Sequence, residues 1–214
     1  MDRTRDIRRE YAYAKLSKAD LAEQPLDQFE SWLDHALAKA LPDATAMALA
    51  TADGQGKPSV RIVLLKDFDA DGFVWFSDQR SEKGLALAAN PHAELLFYWR
   101  ELDRQVRIRG PVIRVAESAA DEYFYSRPRA SQWAAAASEQ SQPIESRAAL
   151  DARYAALAQG DDQPLNRPQS WGGFCLQPLA YEFWQGREGR LHDRLRFQRA
   201  SLQDNQWAID RLQP

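Results

Sequence analysis

The sequence predicts a mainly β fold with flanking helices (α+β), built around an antiparallel barrel. Short runs rich in Val, Ile, Leu and aromatic residues recur along the chain. Most are joined by tight turns, and helical periodicity is confined to regions near 25–42, 81–89 and 116–159. That pattern favours a barrel over alternating βαβ units. The absence of a GxGxxG fingerprint argues against a dinucleotide-binding Rossmann domain, and no GxxxxGK[ST] loop is present.

The elements follow in order. A helix is expected from Pro25, where Phe29, Trp32, Leu33, Ala36 and Leu37 repeat at helical spacing, and Pro42 ends it. The period then changes. Ala46–Thr51 and Ser59–Lys66 read as strands around the turn Asp53-Gly54-Gln55-Gly56. Asp67 to Gly72 reads as a turn and Phe73–Ser77 as a third strand. A helix is expected over Ser81–Ala89, closed by Asn90-Pro91. Ala93–Trp99 and Gln105–Val115 form another strand pair, the second bending at Gly110-Pro111. Residues 116–159 are Ala- and Glu-rich, with helical character broken at Arg127-Pro128, and 160–170 form a polar loop. Four strands finish the chain: Gly172–Leu176, Tyr181–Gln185, Arg190–Arg199 and Gln206–Arg211, with a turn at Gly186–Gly189.

Composition bounds the function. The chain has 214 residues, 44% of them hydrophobic, which fits one globular domain with a helical elaboration. We expect a mobile N-terminal arm over 1–24 and a single domain over 25–214, with a helical insertion around 116–159. A net charge of -3 leaves no general basic face for nucleic acid. Cys175 is the single cysteine, so no intrachain disulfide can form and a reducing compartment fits. The start Met1-Asp2-Arg3-Thr4-Arg5 lacks the apolar stretch of a signal peptide, and no apolar run approaches the roughly 20 residues of a membrane span. A cytoplasmic protein is expected. The seven Trp mostly serve core packing.

Four segments carry candidate chemistry. Arg190-Leu191-His192-Asp193-Arg194, read as a strand, sets Arg190, His192 and Arg194 on one face, where they repel one another unless something anionic or electron-rich lies against them. Arg61 and Lys66 flank an apolar strand. They are equally an ordinary core strand's solvated ends, and their odd separation sends them to opposite faces unless a bulge or strong twist intervenes. Ser81-Glu82-Lys83 opens a helix whose N–H groups favour a phosphate, although a plain Ser N-cap explains the same residues. Tyr123, Arg127 and Ser131 recur at four-residue spacing across Pro128. They frame either a second phosphate site at a helix start, together with Arg129, or a solvated basic turn. His35, His92 and His192 are scattered without neighbouring carboxylates or thiols in a ligand pattern, so no metal site is expected. Two anion sites beside a barrel rich in aromatics imply a phosphorylated cofactor and a phosphorylated substrate.

The whole chain resembles the pyridoxine/pyridoxamine 5′-phosphate oxidase family. The matching pieces occur in order: Arg8-Arg9-Glu10-Tyr11, Arg61–Lys66, Ser81-Glu82-Lys83, Leu102–Val106, Ser126–Gln132, Gln140-Ser141, Ser170–Phe174, Glu182–Gly186 and Arg190–Arg194. The resemblance implies an FMN-binding split β-barrel, a homodimer with FMN in clefts at the subunit interface. It implies oxidation of pyridoxine or pyridoxamine 5′-phosphate to pyridoxal 5′-phosphate, with O2 reduced to hydrogen peroxide. It assigns FMN contacts to Arg61, Ile62, Val63, Leu64, Leu65, Lys66, Phe76, Ser77, Glu82, Lys83, Gln105, Gln140, Ser141, Trp184 and Arg194. It assigns the substrate phosphate to Lys66, Tyr123, Arg127 and Ser131, and sets Arg190 and His192 near the pyridine ring as candidate catalytic groups. Arg8 and Tyr11 resemble an arm that covers bound ligand. Glu82 departs from the family pattern, in which Arg is frequent; either Arg80 or Lys83 compensates, or only the backbone matters there. Phe76 replaces a frequent Tyr, and Trp133-Ala134 replaces a frequent Ile-Gly. The rival readings are a related split-barrel flavin oxidase acting on another substrate, such as a phenazine precursor, and a non-catalytic flavin or pyridoxal-phosphate binder.

Overall fold

The computed structural model describes residues 9–11, 14–160 and 165–214. Its strands are β1 Ala46–Ala52, β2 Pro58–Leu64, β3 Asp67–Asp69, β4 Gly72–Asp78, β5 His92–Trp99, β6 Arg104–Arg114, β7 Trp171–Leu176, β8 Ala180–Gln185, β9 Asp193–Gln198 and β10 Ala208–Leu212. The helices are α1 Pro25–Ala38, α2 Glu82–Ala89, α3 Glu117–Ser126, α4 Arg129–Ala137 and α5 Arg147–Gln159.

Every strand pairing is antiparallel, in the order β10-β9-β8-β6-β5-β1-β2, with β3, β4 and β7 branching from β6. The branch gives the half-barrel its curl. Up to Arg109, β6 runs between β5 and β8. Past the expected bend at Gly110-Pro111 it turns to β7, which in turn pairs with β4. A Cβ on Gly110 would lie 1.8 Å from the carbonyl oxygen of Gln177, so the close crossing at the bend requires glycine.

Alternation along each strand sends one set of side chains inward. Leu95, Phe97, Val106, Ile108, Phe183, Leu195 and Phe197 are all fully buried. The stripe of α1 closes this core. Phe29 meets Phe68, Phe73 and Phe97 edge-on at centroid distances of 4.9–5.2 Å, and truncating it to Ala would cost about 3–5 kcal/mol. Leu16 also lies in the core, its N–H donating to Asp193. Trp32, Trp75, Trp99 and Trp171 are buried. Among the described residues, no helix is long and apolar enough to cross a membrane.

Two elements differ from expectation. Asp67–Asp69, read as part of a turn, is a short strand against β4, because the Asp69 carboxylate folds the tighter turn at Asp71 and Gly72. The last-but-one strand starts at Asp193, not Arg190. Residues Glu188–Arg190 form a 3-10 turn with positive φ at Gly189 and Arg190, so strand alternation does not govern Arg190 and His192.

Candidate active site

A cleft of about 860 Å³ opens between β2, β4, the start of α2, and the α3–α4 corner. It gathers Arg61, Ile62, Val63, Leu64, Lys66, Phe76, Ser77, Glu82 and Lys83 with Tyr123, Arg127, Ser131, Gln140 and Ser141. Arg61 and Lys66 share it because the strand does not continue. Beyond Leu64 the chain leaves β1, and the Lys66 N–H pairs with the Val74 carbonyl of β4. Strict alternation fails at that switch. Leu65 turns inward and joins the core, so its side chain is not on the cleft.

Lys83 is the most telling group. Its ammonium is buried, yet its bonds go to neutral oxygens: Gln140 Oε1 at 2.6 Å, Ser77 Oγ at 3.1 Å and Ser81 Oγ at 3.2 Å. Burial, and then the nearby Arg61 charge, push its pKa down. Ser81 is an N-cap, accepting weakly from Gly84 N–H, and its own hydroxyl donates to Asp78 O. Arg80, the residue expected to compensate for Glu82, is bound to Asp78 at 2.8 Å and is not among the residues lining the cleft. Arg61 is half-buried and donates to Thr51 Oγ1 and Ser59 Oγ, and burial lowers its pKa as well. Ser141 sits on the cleft at φ 70°, a left-handed conformation for a non-glycine residue.

The second cation is Arg127. Pro128 ends α3 and starts α4, so Tyr123, Arg127 and Ser131 do not share a helix, but the corner brings all three to the cleft. The Arg127 guanidinium lies 4.9 Å from the Trp171 ring centroid, and its buried Nη1 has no hydrogen-bond partner among the described residues. Burial lowers its pKa. Phe76 stacks on Tyr123 at 4.2 Å and on Trp171 at 5.4 Å, making an aromatic wall. Arg129 packs over Trp133 and bonds Gln132; it is not among the residues lining the cleft. Trp171 was visible in the sequence only as part of a matching run. Its role follows from a fold that sets a distant strand beside Arg127.

The remaining expected residues form a separate group. Gln105, Trp184 and Arg194 are direct cross-strand partners on the outer face of β6, β8 and β9. Arg194 does not repel its neighbours there, because Glu182 binds it at 2.8 Å. His192 and Tyr11 pack on Trp184 at centroid distances of 4.7 and 5.5 Å. A Cβ on Gly186 would come within 2.6 Å of the Tyr11 ring, so the glycine makes room for it. Arg190 is exposed on the turn. None of these residues lines the cleft of its own chain. Arg8 lies outside the described residues. The His192 Nδ1 accepts the Arg187 N–H at 3.1 Å, and burial, then Arg190, lower its pKa.

Comparison with known proteins shows the family. Residues 33–159 match the family model described as pyridoxamine 5′-phosphate oxidase, and 171–214 match the pyridoxine 5′-phosphate oxidase C-terminal dimerisation region. The chain is 48% identical to pyridoxine/pyridoxamine 5′-phosphate oxidase 1 of Hydrogenovibrio crunogenus, over 97% of this chain and 96% of that protein. It is 50% identical to the Herminiimonas arsenicoxydans pyridoxine/pyridoxamine 5′-phosphate oxidase, over 98% of each. Among solved structures, PhzG from Burkholderia lata in complex with tetrahydrophenazine-1-carboxylic acid superposes with TM-score 0.85 at 34% identity, over 92% of this chain and 95% of that one. An FMN-binding protein of Nostoc punctiforme shares the fold at TM-score 0.69 and 20% identity, over 91% and 99%.

Proposed function

Because the chain belongs to the pyridoxine/pyridoxamine 5′-phosphate oxidase family, we propose that it oxidises pyridoxine or pyridoxamine 5′-phosphate to pyridoxal 5′-phosphate, reducing O2 to hydrogen peroxide. FMN is the cofactor, and when bound it supplies the two-electron acceptor. The observation that carries this reading is the pair of desolvated cations, Lys83 and Arg127, lining one cleft with no carboxylate bound to either among the described residues. A buried cation held only by neutral groups is stabilised by an anion, and two such sites fit two phosphates.

In this reading Lys83, with Arg61, Ser77 and Gln140, holds the cofactor phosphate. Arg127, Tyr123, Ser131 and Lys66 hold that of the substrate. Pinning both ends converts an encounter of two rings into a fixed geometry. The protein acts as a homodimer, and the partner subunit brings its Gln105, Trp184, Arg190, His192 and Arg194 to the cleft. The match to a dimerisation region supports this, as do the exposed Val60, Ile62 and Leu64 on edge strand β2. Since Nδ1 of His192 accepts a backbone N–H, the neutral ring carries its proton on Nε2. His192 then orients the substrate as a hydrogen-bond donor, and Arg190 covers the open face of the pyridine. Tyr11 packs behind His192 and Trp184.

The test is anaerobic addition of pyridoxamine 5′-phosphate to the FMN-loaded protein. Bleaching of the flavin bands, followed by peroxide and pyridoxal 5′-phosphate once air is admitted, is the expected result. The likeness to PhzG favours one second reading, a reduced phenazine carboxylate as substrate. Bleaching by tetrahydrophenazine-1-carboxylic acid and not by pyridoxamine 5′-phosphate would replace the first reading with the second.

A further inference from the structure

We propose that Asp193 is a positioning residue: through Arg187 it holds His192 in one tautomer, and through Leu16 it ties the β8–β9 turn to the chain segment behind Tyr11. The inference rests on the reading that His192 faces the substrate. Asp193 belongs to the Arg190–Arg194 run but is buried on the opposite side of β9 from Arg194.

Asp193 is buried, at 7% exposure, and its carboxylate takes donors from three parts of the chain. Oδ2 accepts the Leu16 N–H at 3.1 Å and Arg187 Nη1 at 2.9 Å, while Oδ1 accepts Arg211 Nη1 at 2.6 Å. Arg211 closes the ring by donating to the Leu16 carbonyl at 3.1 Å. A buried carboxylate satisfied this fully holds its partners in place, because freeing any one of them gives up a hydrogen bond to a charged group that water cannot readily replace.

Arg187 is therefore tethered at both ends. Its guanidinium is bound to Asp193, and its backbone N–H donates to His192 Nδ1. The turn between them has little else to hold it. Its internal bond, Leu191 N–H to Glu188 O, is long at 3.3 Å, and positive φ at Gly189 and Arg190 makes it a conformation that side chains disfavour. Releasing the Arg187 side chain frees the turn, and with it the N–H that selects the tautomer. Leu16 follows Tyr11 by a few residues, so the carboxylate that sets the turn also anchors the segment packed on His192.

The experiment is nitrogen-15 NMR of the histidine rings in FMN-loaded protein, with FMN affinity and kcat/KM measured on the same samples. Wild type should show His192 protonated at Nε2 alone. Asp193→Asn and Arg187→Met should each show both tautomers of His192, with FMN affinity changed less than about twofold and kcat/KM for pyridoxamine 5′-phosphate lowered about tenfold, the scale of one charge-assisted hydrogen bond. Arg187→Lys, which keeps a cation for Asp193, should restore the single tautomer. Should Asp193→Asn fail to fold, Arg187→Met still decides, since that side chain is one-third exposed. A single Nε2–H tautomer in Arg187→Met, or no rescue by Arg187→Lys, would overturn the proposal. Tautomer mixing in a protein that does not oxidise pyridoxamine 5′-phosphate would sink the proposed function and leave the coupling standing.

Discussion

The cleft and the β8–β9 region hold their charges in opposite ways. In the cleft, Lys83 and Arg127 are desolvated among hydroxyls, an amide and aromatic rings, with no carboxylate on either among the described residues. Around the turn and the sheet face, charges come in pairs. Asp193 holds Arg187 and Arg211, and the series Glu94–Arg107–Glu182–Arg194 alternates in sign across four strands. The difference teaches what each region is for. A buried cation without a counter-charge has a lowered pKa and gains from an anionic ligand, so it binds. A paired charge gains little from a ligand but fixes geometry, so it positions.

Substitutions on the two sides should therefore separate binding from orientation. The largest effect belongs to Lys83. Lys83→Met keeps the length of the side chain and removes the charge. FMN affinity should fall about 100-fold, the scale of one desolvated charge-assisted contact, read by quenching of flavin fluorescence on titration. An unchanged affinity would move the cofactor phosphate away from the start of α2. Next comes Arg127→Gln, which should raise KM for pyridoxamine 5′-phosphate about 30-fold while leaving FMN affinity intact. A fall in FMN affinity with an unchanged KM would reverse the assignment of the two phosphates. Neither variant should alter the His192 tautomer, whereas the turn variants should alter it and leave FMN affinity nearly unchanged.

The same contrast explains what could be read from the sequence. The cleft was legible because its determinants are local: a Ser N-cap followed by Lys83, a Pro128 corner between Arg127 and Ser131, and a strand bounded by cations. Period and capping rules act within a few residues and need no tertiary structure. The β6 bend at Gly110-Pro111 was legible for the same reason. The turn was not. Arg190 to Arg194 alternates like a strand, but Asp193 ties its geometry to Leu16 and Arg211, contacts that lie 177 and 18 residues away. The paired position of Lys66 depended on a change of strand partner at Leu64, and Leu65 entered the core for that reason. The role of Trp171 depended on its arrival beside Arg127 from the far end of the helical segment.

Glu82 gives the smallest effect and the sharpest test of the comparison, because it lies in the proposed binding cleft with the wrong sign for it. It is exposed, lines the cleft, and its charge partly opposes the lowering of the Arg61 and Lys83 pKa values by burial. It is also the first residue of α2, where a carboxylate favours the helix N-terminus by about 0.3–1 kcal/mol. Glu82→Gln should thus move two properties in opposite directions. FMN should bind about two- to fivefold tighter at low salt, and the gain should shrink at high salt because the site is open to screening. Thermal stability of the protein without FMN should fall by about 0.3–1 kcal/mol through loss of the helix-end interaction. If FMN affinity does not change at low salt, Glu82 is too well solvated to act on the phosphate site, and the cations of the cleft are insulated from their acidic neighbour as well as from carboxylate partners.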